Sequence, residues 1–291
     1  MKYRHSFHAG NFADVHKHVA LLALLRALQR KDKGFLYVDT HAGAGRYGLG
    51  APETHHGAEA KHGVTAFLGA AAGLRADELK DYRDAIAAQR SAPQDADAYP
   101  GSPLLAAQLL RAQDRGVCCE ILPPECRALE RALGGFRRMR VECADGYQQL
   151  RAVLPPRERR CLLLIDPPYE SLATELDQAT QMITASLERL ANAVIALWYP
   201  IKDARSLMPW LERVARQLGA PTLIMELWVY PRDSHVGLNG SGLLLVNPPF
   251  QFEHAAAAWQ SELLGLLDKG KLGGTAVRWL GSDAALSHAG A

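Results

Sequence analysis

The fold turns on Leu162-Leu-Leu-Ile-Asp166-Pro167-Pro168-Tyr169. Here an apolar run stops at a carboxylate, two prolines and an aromatic ring. Strands buried on both faces are apolar throughout and do not alternate, so the run predicts a central parallel strand over 161–165. Proline has no backbone donor, which makes the chain leave the sheet at Asp166. In open α/β sheets, ligands bind at the carboxyl ends of strands. At such an end Asp166 and the prolyl carbonyls can accept hydrogen bonds from a planar exocyclic amine, while Tyr169 stacks on the ring that bears it. A bare acid-Pro-Pro-aromatic suits a plain edge turn equally well, so the rest of the chain has to decide.

Outward from this stretch, strands and helices alternate. Further strands are predicted at 35–38, 117–121, 140–143, 193–197, 222–229 and 242–246, with helices at 126–133, 147–154, 172–191 and 204–218 between them. Only a turn-like connection, 231–240, separates the last two strands, which makes that pair antiparallel. The pattern is a doubly wound α/β sheet of seven strands, mostly parallel, with a terminal antiparallel hairpin. Ahead of it, Asn11 caps a helix over 13–30, with Asp14 in the first turn and Arg30-Lys31 at the end. Its apolar face is Leu21, Leu24, Leu25 and Leu28. Between 48 and 100 strand signals vanish and helices are predicted at 58–71 and 77–89. This is a small helical insertion subdomain, dividing a main domain of 1–47 and 101–281 that begins with a polar, aromatic-bearing arm. Ser102 then caps a helix with Pro103 in its first turn, and the Ala/Gly-rich 282–291 is a loose tail.

At 291 residues and 48% hydrophobic, the chain can bury a large core. A net charge of +2 neither demands nor excludes a nucleic-acid partner. Five cysteines, an odd number with no C-x-x-C, argue against a disulfide framework or a thiolate zinc site. The natural reading is a reduced, cytoplasmic protein, with no signal-peptide core and no apolar run long enough to span a bilayer. His5, His8, His16 and His18 make no complete ligand set, and no metal is expected. Arg137-Arg138-Arg140 and Arg157-Arg159-Arg160 can touch phosphates, although exposed loop charge is their default role.

Asp39, Glu120, Asp145 and Asp166 each stand at a predicted strand end, along one sheet edge. Four carboxylates in such a row suit a cationic or hydroxyl-rich ligand. The Gly43/Gly45 turn allows close backbone approach, yet Asp39 just before it would repel a pyrophosphate. The incomplete glycine motif and the acid together favour S-adenosylmethionine over NAD. Glu120 would accept hydrogen bonds from ribose hydroxyls, and Asp145 with Gly146 would lie near the adenine amine. Leu243-Leu-Leu-Val-Asn247-Pro-Pro-Phe250 nearly duplicates the opening stretch. It ends an antiparallel strand, which places it on the opposite edge and favours Asp166.

Asp166-Pro-Pro-Tyr169 resembles the signature of enzymes that methylate exocyclic nitrogens. More specifically, Tyr3-Arg-His-Ser-Phe-His-Ala-Gly-Asn11, Ala13-Asp-Val-His-Lys-His18, Asp39-Thr-His-Ala-Gly-Ala-Gly-Arg-Tyr47 and Tyr99-Pro-Gly-Ser-Pro103 resemble the J-type 23S ribosomal RNA adenine-N6 methyltransferases. So do Ala144-Asp-Gly-Tyr-Gln-Gln149 and Ala196-Leu-Trp-Tyr-Pro200. The resemblance spans nearly the whole chain. It implies a class I (Rossmann-like) methyltransferase fold, a monomer, S-adenosylmethionine as cofactor, and 23S ribosomal RNA, naked or in an early assembly intermediate, as substrate. It places His18, His41, Ser102, Glu120, Asp145, Gly146 and Asp166 at cofactor or catalytic positions and Tyr3 at the RNA, with Arg4 beside it. One departure is Leu122-Pro123, where relatives are expected to have His-Pro. The readings to be beaten are an amino-methyltransferase of DNA adenine or protein glutamine, and a non-catalytic nucleotide-binding sensor.

Overall fold

A computed structural model describes residues 9–49, 56–232, 234, 237–268 and 270–281. Tyr3, Arg4 and the 282–291 tail lie outside the described residues.

The chain opens with α1 (Phe12–Gln29), capped as expected by the Asn11 side chain, which accepts from the Asp14 N–H at 2.9 Å. Next come β1 (Leu36–Asp39) and β2 (Arg46–Gly48), then α2 (His56–His62), α3 (Val64–Gly69), α4 (Asp77–Gln89) and β3 (Ala98–Pro100). Antiparallel pairing of β2 with β3 closes the neck of this helical excursion. The alternating part follows: α5 (Ser102–Leu109), β4 (Arg115–Cys119), α6 (Pro123–Leu133), β5 (Met139–Glu142), α7 (Gly146–Val153), β6 (Cys161–Ile165), α8 (Leu172–Arg189) and β7 (Val194–Ile201). It ends with α9 (Ala204–Gln217), β8 (Thr222–Trp228), β9 (Gly240–Val246), α10 (Phe252–Leu267) and β10 (Gly274–Leu280).

The main sheet has the order β10-β8-β9-β7-β6-β1-β4-β5. From β7 to β5 all neighbours are parallel. β9 inserts antiparallel between β7 and β8, and β10 lies antiparallel outside β8. One apolar layer packs α1, α3, α4, α5 and α10 on one face, and a second packs α8 and α9 on the other. β6, with every residue buried, is the central strand its composition calls for.

Five expectations change. The sheet has eight strands, not seven, because β10 is half-buried at the edge and carries no apolar run. α1 buries far more than one face: Asp14, His16, Lys17 and His18 are buried too, since the helix runs between the sheet, α4, α5 and α10. The helix expected over 58–71 breaks at Gly63, where a Cβ would come within 2.1 Å of the Gly10 carbonyl oxygen, so the chain must turn there. Gly101, not Ser102, caps α5, and the Ser102 hydroxyl is spent elsewhere. Finally, Cys126 and Cys143 form a disulfide, with Glu130 beside them. Lack of a C-x-x-C is silent about cysteines that a β-α-β unit brings together, and here α6 folds back over the end of β5. Cys118, Cys119 and Cys161 are buried free thiols.

Candidate active site

Ile165 is hemmed in by β1 and β7, so Asp166 emerges at the middle of the sheet's carboxyl edge. Two cavities flank it. The larger, about 430 Å³, is lined by Asn11, Asp14, Lys17, Asp166, Tyr169 and Trp198 among others. The smaller, about 230 Å³, is lined by Thr40, His41, Glu120, Asp145, Gly146 and Pro167 among others. Pro168 faces both, so the proline turn is their shared wall.

In the larger cavity the Lys17 ammonium sits 2.5 Å from Asp166 Oδ2 and 2.8 Å from Asp14 Oδ1. Lys17 is only 3% exposed. Burial alone would depress its pKa, but Asp14 and then Asp166 more than offset that and hold it above the ordinary lysine range. The ammonium also lies 5.7 Å from the Trp198 ring centroid. Tyr169 occupies the left-handed region at φ 53°, a conformation costing a non-glycine residue on the order of 1 kcal/mol or more. Its hydroxyl donates to the Trp198 carbonyl, and its ring meets the Trp198 ring edge-on at 5.6 Å. These contacts, with the two prolines, fix the ring's direction.

The smaller cavity is built from strand ends. Gly43, at φ 60°, donates its N–H to Glu120 Oε2 at 2.9 Å, and the Leu122 N–H donates to Oε1 at 2.7 Å. Burial raises the Glu120 carboxyl, and those donors oppose the shift. Asp145 caps α7, accepting from the Tyr147 N–H at 2.8 Å. A Cβ on Gly146 would lie 2.1 Å from the Thr40 carbonyl oxygen, so only glycine fits between β1 and α7. His41 packs edge-on against Tyr147, and burial pulls its pKa down to about 4 against Asp166 and Asp145. The ring is therefore neutral near pH 7.

Behind this cavity Asp39 is fully buried. It accepts from the Tyr37 hydroxyl at 2.8 Å, the Ser102 hydroxyl at 2.7 Å and the His41 N–H at 3.3 Å. Burial pushes its carboxyl up to about 6, against the pull of Ser102 and Tyr37. No lysine or arginine lines the smaller cavity among the described residues. Acids, a neutral imidazole and a glycine floor fit a cationic, hydroxyl-bearing ligand such as S-adenosylmethionine. They do not fit a pyrophosphate.

The structure thus gathers His41, Glu120, Asp145, Gly146, Asp166, Pro167 and Tyr169 around two adjoining cavities. Asp39, Gly43 and Ser102 stand immediately behind. His18 lines neither cavity: its Nδ1 pairs with the Tyr99 hydroxyl at 2.9 Å inside the α1 layer, and Nε2 lies 4.0 Å from Asp14. Sequence reasoning missed Lys17, Asp14 and Trp198. A lysine and an aspartate three apart within a helix rich in leucine were the available signal for the first two. Asn247 is on the far edge, as its strand direction required, and its amide donates to the Ala191 and Ala193 carbonyls, each at 2.9 Å.

Comparison with known proteins identifies the family. Residues 32–281 match the model of the family described as ribosomal RNA large subunit methyltransferase D, RlmJ. The chain is 41% identical over 257 residues to the ribosomal RNA large subunit methyltransferase J of Escherichia coli K12, covering 87% of this chain and 89% of that one. It is 37% identical, with the same coverage, to the protein of that name from Haemophilus influenzae. The crystal structure of protein LPL1258 from Legionella pneumophila superposes with a TM-score of 0.84 at 30% identity, covering 95% of this chain and 99% of that one. The chain belongs to the RlmJ family of large-subunit ribosomal RNA methyltransferases.

Proposed function

We propose that the chain methylates the exocyclic N6 of an adenine in 23S ribosomal RNA, using S-adenosylmethionine and transferring the methyl group directly to a flipped-out base. One observation carries this reading: Asp166-Pro-Pro-Tyr169 is the common wall of an acid-lined cavity and a cavity with a lysine-held carboxylate beside two aromatic rings. In this reading the smaller cavity takes the cofactor. Glu120 accepts from ribose hydroxyls, Asp145 and Gly146 lie against the adenine, and Asp39 supplies negative charge for the amino-acid end. His41 and Gly43 shape the wall, Ser102 orients Asp39, and His18 acts from behind through Asp14. Bound there, the cofactor supplies an electrophilic methyl group.

The target base enters the larger cavity and stacks on Tyr169. Its N6 lone pair is delocalised into the purine and is a poor nucleophile. Hydrogen bonds from N6–H to Asp166 and the Pro167 carbonyl favour the localised form, and they strengthen as the new bond develops. Lys17 occupies Asp166 Oδ2, which leaves Oδ1 for the amine. Asp166 can accept the proton that leaves N6 as the methyl group is transferred. Tyr3 and Arg4 are assigned to the RNA as an aromatic–cation pair. The enzyme acts as a monomer in the cytoplasm, on naked RNA or an early assembly intermediate.

The test offers deproteinised ribosomal RNA, duplex DNA and protein acceptors with labelled cofactor, then maps the product. Label in N6-methyladenine of 23S RNA alone is expected; label confined to DNA or protein overturns the substrate. Calorimetry adds a check, since NAD binding without S-adenosylhomocysteine binding would refute a methyltransferase.

A further inference from the structure

The edge of the sheet opposite the candidate active site is formed by the turns that enter the parallel strands, and it is basic. Exposed Arg30, Lys31 and Lys33 precede β1, with Asp32 among them. Exposed Arg137 and Arg138 precede β5, and exposed Arg157 and Arg159 precede β6. Glu158, the acid in the last turn, is shared by Arg115 at 2.7 Å and Arg157 at 3.0 Å. One carboxylate between two guanidiniums leaves a cation in excess, and Arg115 holds Glu158 down to about 2. Arg160 donates to the Leu28 and Lys33 carbonyls, tying the turns before β1 and β6 into one platform. Because β6, β1, β4 and β5 are consecutive neighbours at about 4.8 Å spacing, these turns lie along one side of the sheet, with Arg111 paired to the buried Asp114 at 2.9 Å in the turn before β4 between them. The opposite edge carries Asp145, Asp166, Glu170 and Asp203 with the buried Glu120, against exposed Lys202 and buried Lys17. The small net charge hides a strongly polar molecule.

A second feature adjoins the basic turns. A groove of about 660 Å³ is lined by Arg30, Lys31, Arg160, Asn247, Pro249 and Phe250 among others. Phe250 is 58% exposed, unusual for phenylalanine, and lines the groove beside those cations. Cations in a row that leads to an open aromatic face are the ingredients of single-stranded nucleic-acid binding, because phosphates pair with the first and a base stacks on the second. An acidic protein surface would use the cations but has no need of an open ring face among them.

We propose that this edge is a second RNA-docking surface, on which phosphates flanking the methylated site lie along the basic turns and an unpaired base stacks on Phe250. The inference rests on RNA being the substrate and extends it to a distant contact. The five residues of β6 separate the two edges by roughly 17 Å, less than one turn of a nucleic-acid helix at about 34 Å. A structured RNA therefore reaches both edges, and a short oligonucleotide in the active site does not.

The test compares the unmodified protein with Lys31→Glu/Arg159→Glu and with Phe250→Ala. Binding is followed by fluorescence anisotropy against salt, on a long 23S fragment carrying the methylated adenine and on a short oligonucleotide carrying the same adenine. The double variant is expected to bind the long RNA at least tenfold more weakly. Its log K against log salt should lose about 1.4–1.8 of slope, the share of two phosphate contacts. Phe250→Ala is expected to weaken the long RNA about fivefold or more. Binding of the short RNA, methyl transfer to it and S-adenosylhomocysteine affinity should stay unchanged in both variants. The milder Lys31→Gln/Arg159→Gln removes the same two phosphate contacts without reversing charge, so it should lose the same slope of about 1.4–1.8 with a smaller loss of affinity, which separates charge from misfolding. Unaltered long-RNA affinity and slope in the double variant overturn the surface while the RNA reading stands. Equal losses on both RNAs, or loss of capture of an acidic protein with RNA binding intact, also overturn it. An unmodified protein that neither binds nor methylates RNA sinks both.

Discussion

Asp166-Pro-Pro-Tyr169 and Asn247-Pro-Pro-Phe250 share one pattern and have opposite surroundings. Each ends a buried strand, but β6 and β9 run in opposite directions, so the turns stand at opposite edges of the same sheet. Asp166 accepts from a buried ammonium, whereas Asn247 donates to two backbone carbonyls. Tyr169 is 7% exposed and faces a cavity; Phe250 stands open. The first turn meets a buried ammonium and needs a carboxylate, while the second meets two backbone carbonyls and needs an amide. Strand direction therefore assigns the roles that the shared letters leave open.

Exchanging or deleting the two polar residues breaks the comparison most sharply. Asp166→Ala is expected to lower kcat by about 10²–10³ or more, the scale for losing one transition-state hydrogen-bond partner, with S-adenosylhomocysteine affinity by calorimetry within a few-fold. Asn247→Ala should transfer methyl groups at the unmodified rate. The reverse pattern would move the active site to the other edge. Lys17→Met comes next, because it strands Asp14 and Asp166 without their shared cation. Loss of one partner from a buried ion pair costs about 3–5 kcal/mol, to be read from urea unfolding, and an unchanged midpoint would contradict the burial described above.

Asn247→Asp should cost about 1–3 kcal/mol by leaving two carbonyls without donors. Thermal unfolding measures that loss, and transfer below the melting temperature should be unaffected. The smallest effect concerns pH and belongs to the acidic edge alone. Asp39 in the free protein is ionised above about pH 6 and protonated below it. A bound ammonium needs the ionised form, so S-adenosylhomocysteine affinity should fall as pH drops through 6, by at most about tenfold per pH unit. Tyr37, Ser102, His41, Cys118 and Asp166 surround or influence Asp39, and His41 is already neutral there. Asp39→Asn should flatten the profile, whereas persistence of the slope would assign it to another acid, Glu120 first.

The parts of the fold that were legible in sequence are those where one local signal dominates. The unbroken apolar run of β6 and the helical spacing of Leu79, Tyr82 and Ile86 in α4 gave those elements to the residue. α10 and β10 went unread because an alanine-rich helix and a half-buried edge strand have weak periodicity. The row of acids followed from strand ends, since the parallel sheet puts every such end on one edge. Lys17 did not, because its meaning depends on a carboxylate 149 residues away. Nor did the depth of α1, where His16 reaches Ser241 and His18 reaches Tyr99 through contacts no local pattern encodes.

The Cys126–Cys143 bond has a topological consequence. It closes a covalent ring that contains most of α6 and all of β5, the last strand on its side of the sheet. Terminal strands open most easily, but here opening must drag the start of α6 as well. A protease nick anywhere within the ring would leave one molecule, migrating as intact on a gel until reductant separates the pieces. In a reducing compartment the same two sulfurs become neighbouring thiols, the ring is open, and the turns bearing Glu120 and Asp145 are held together by the β4–β5 ladder and the Glu120 N–H bond to the Glu142 carbonyl, with no cross-link.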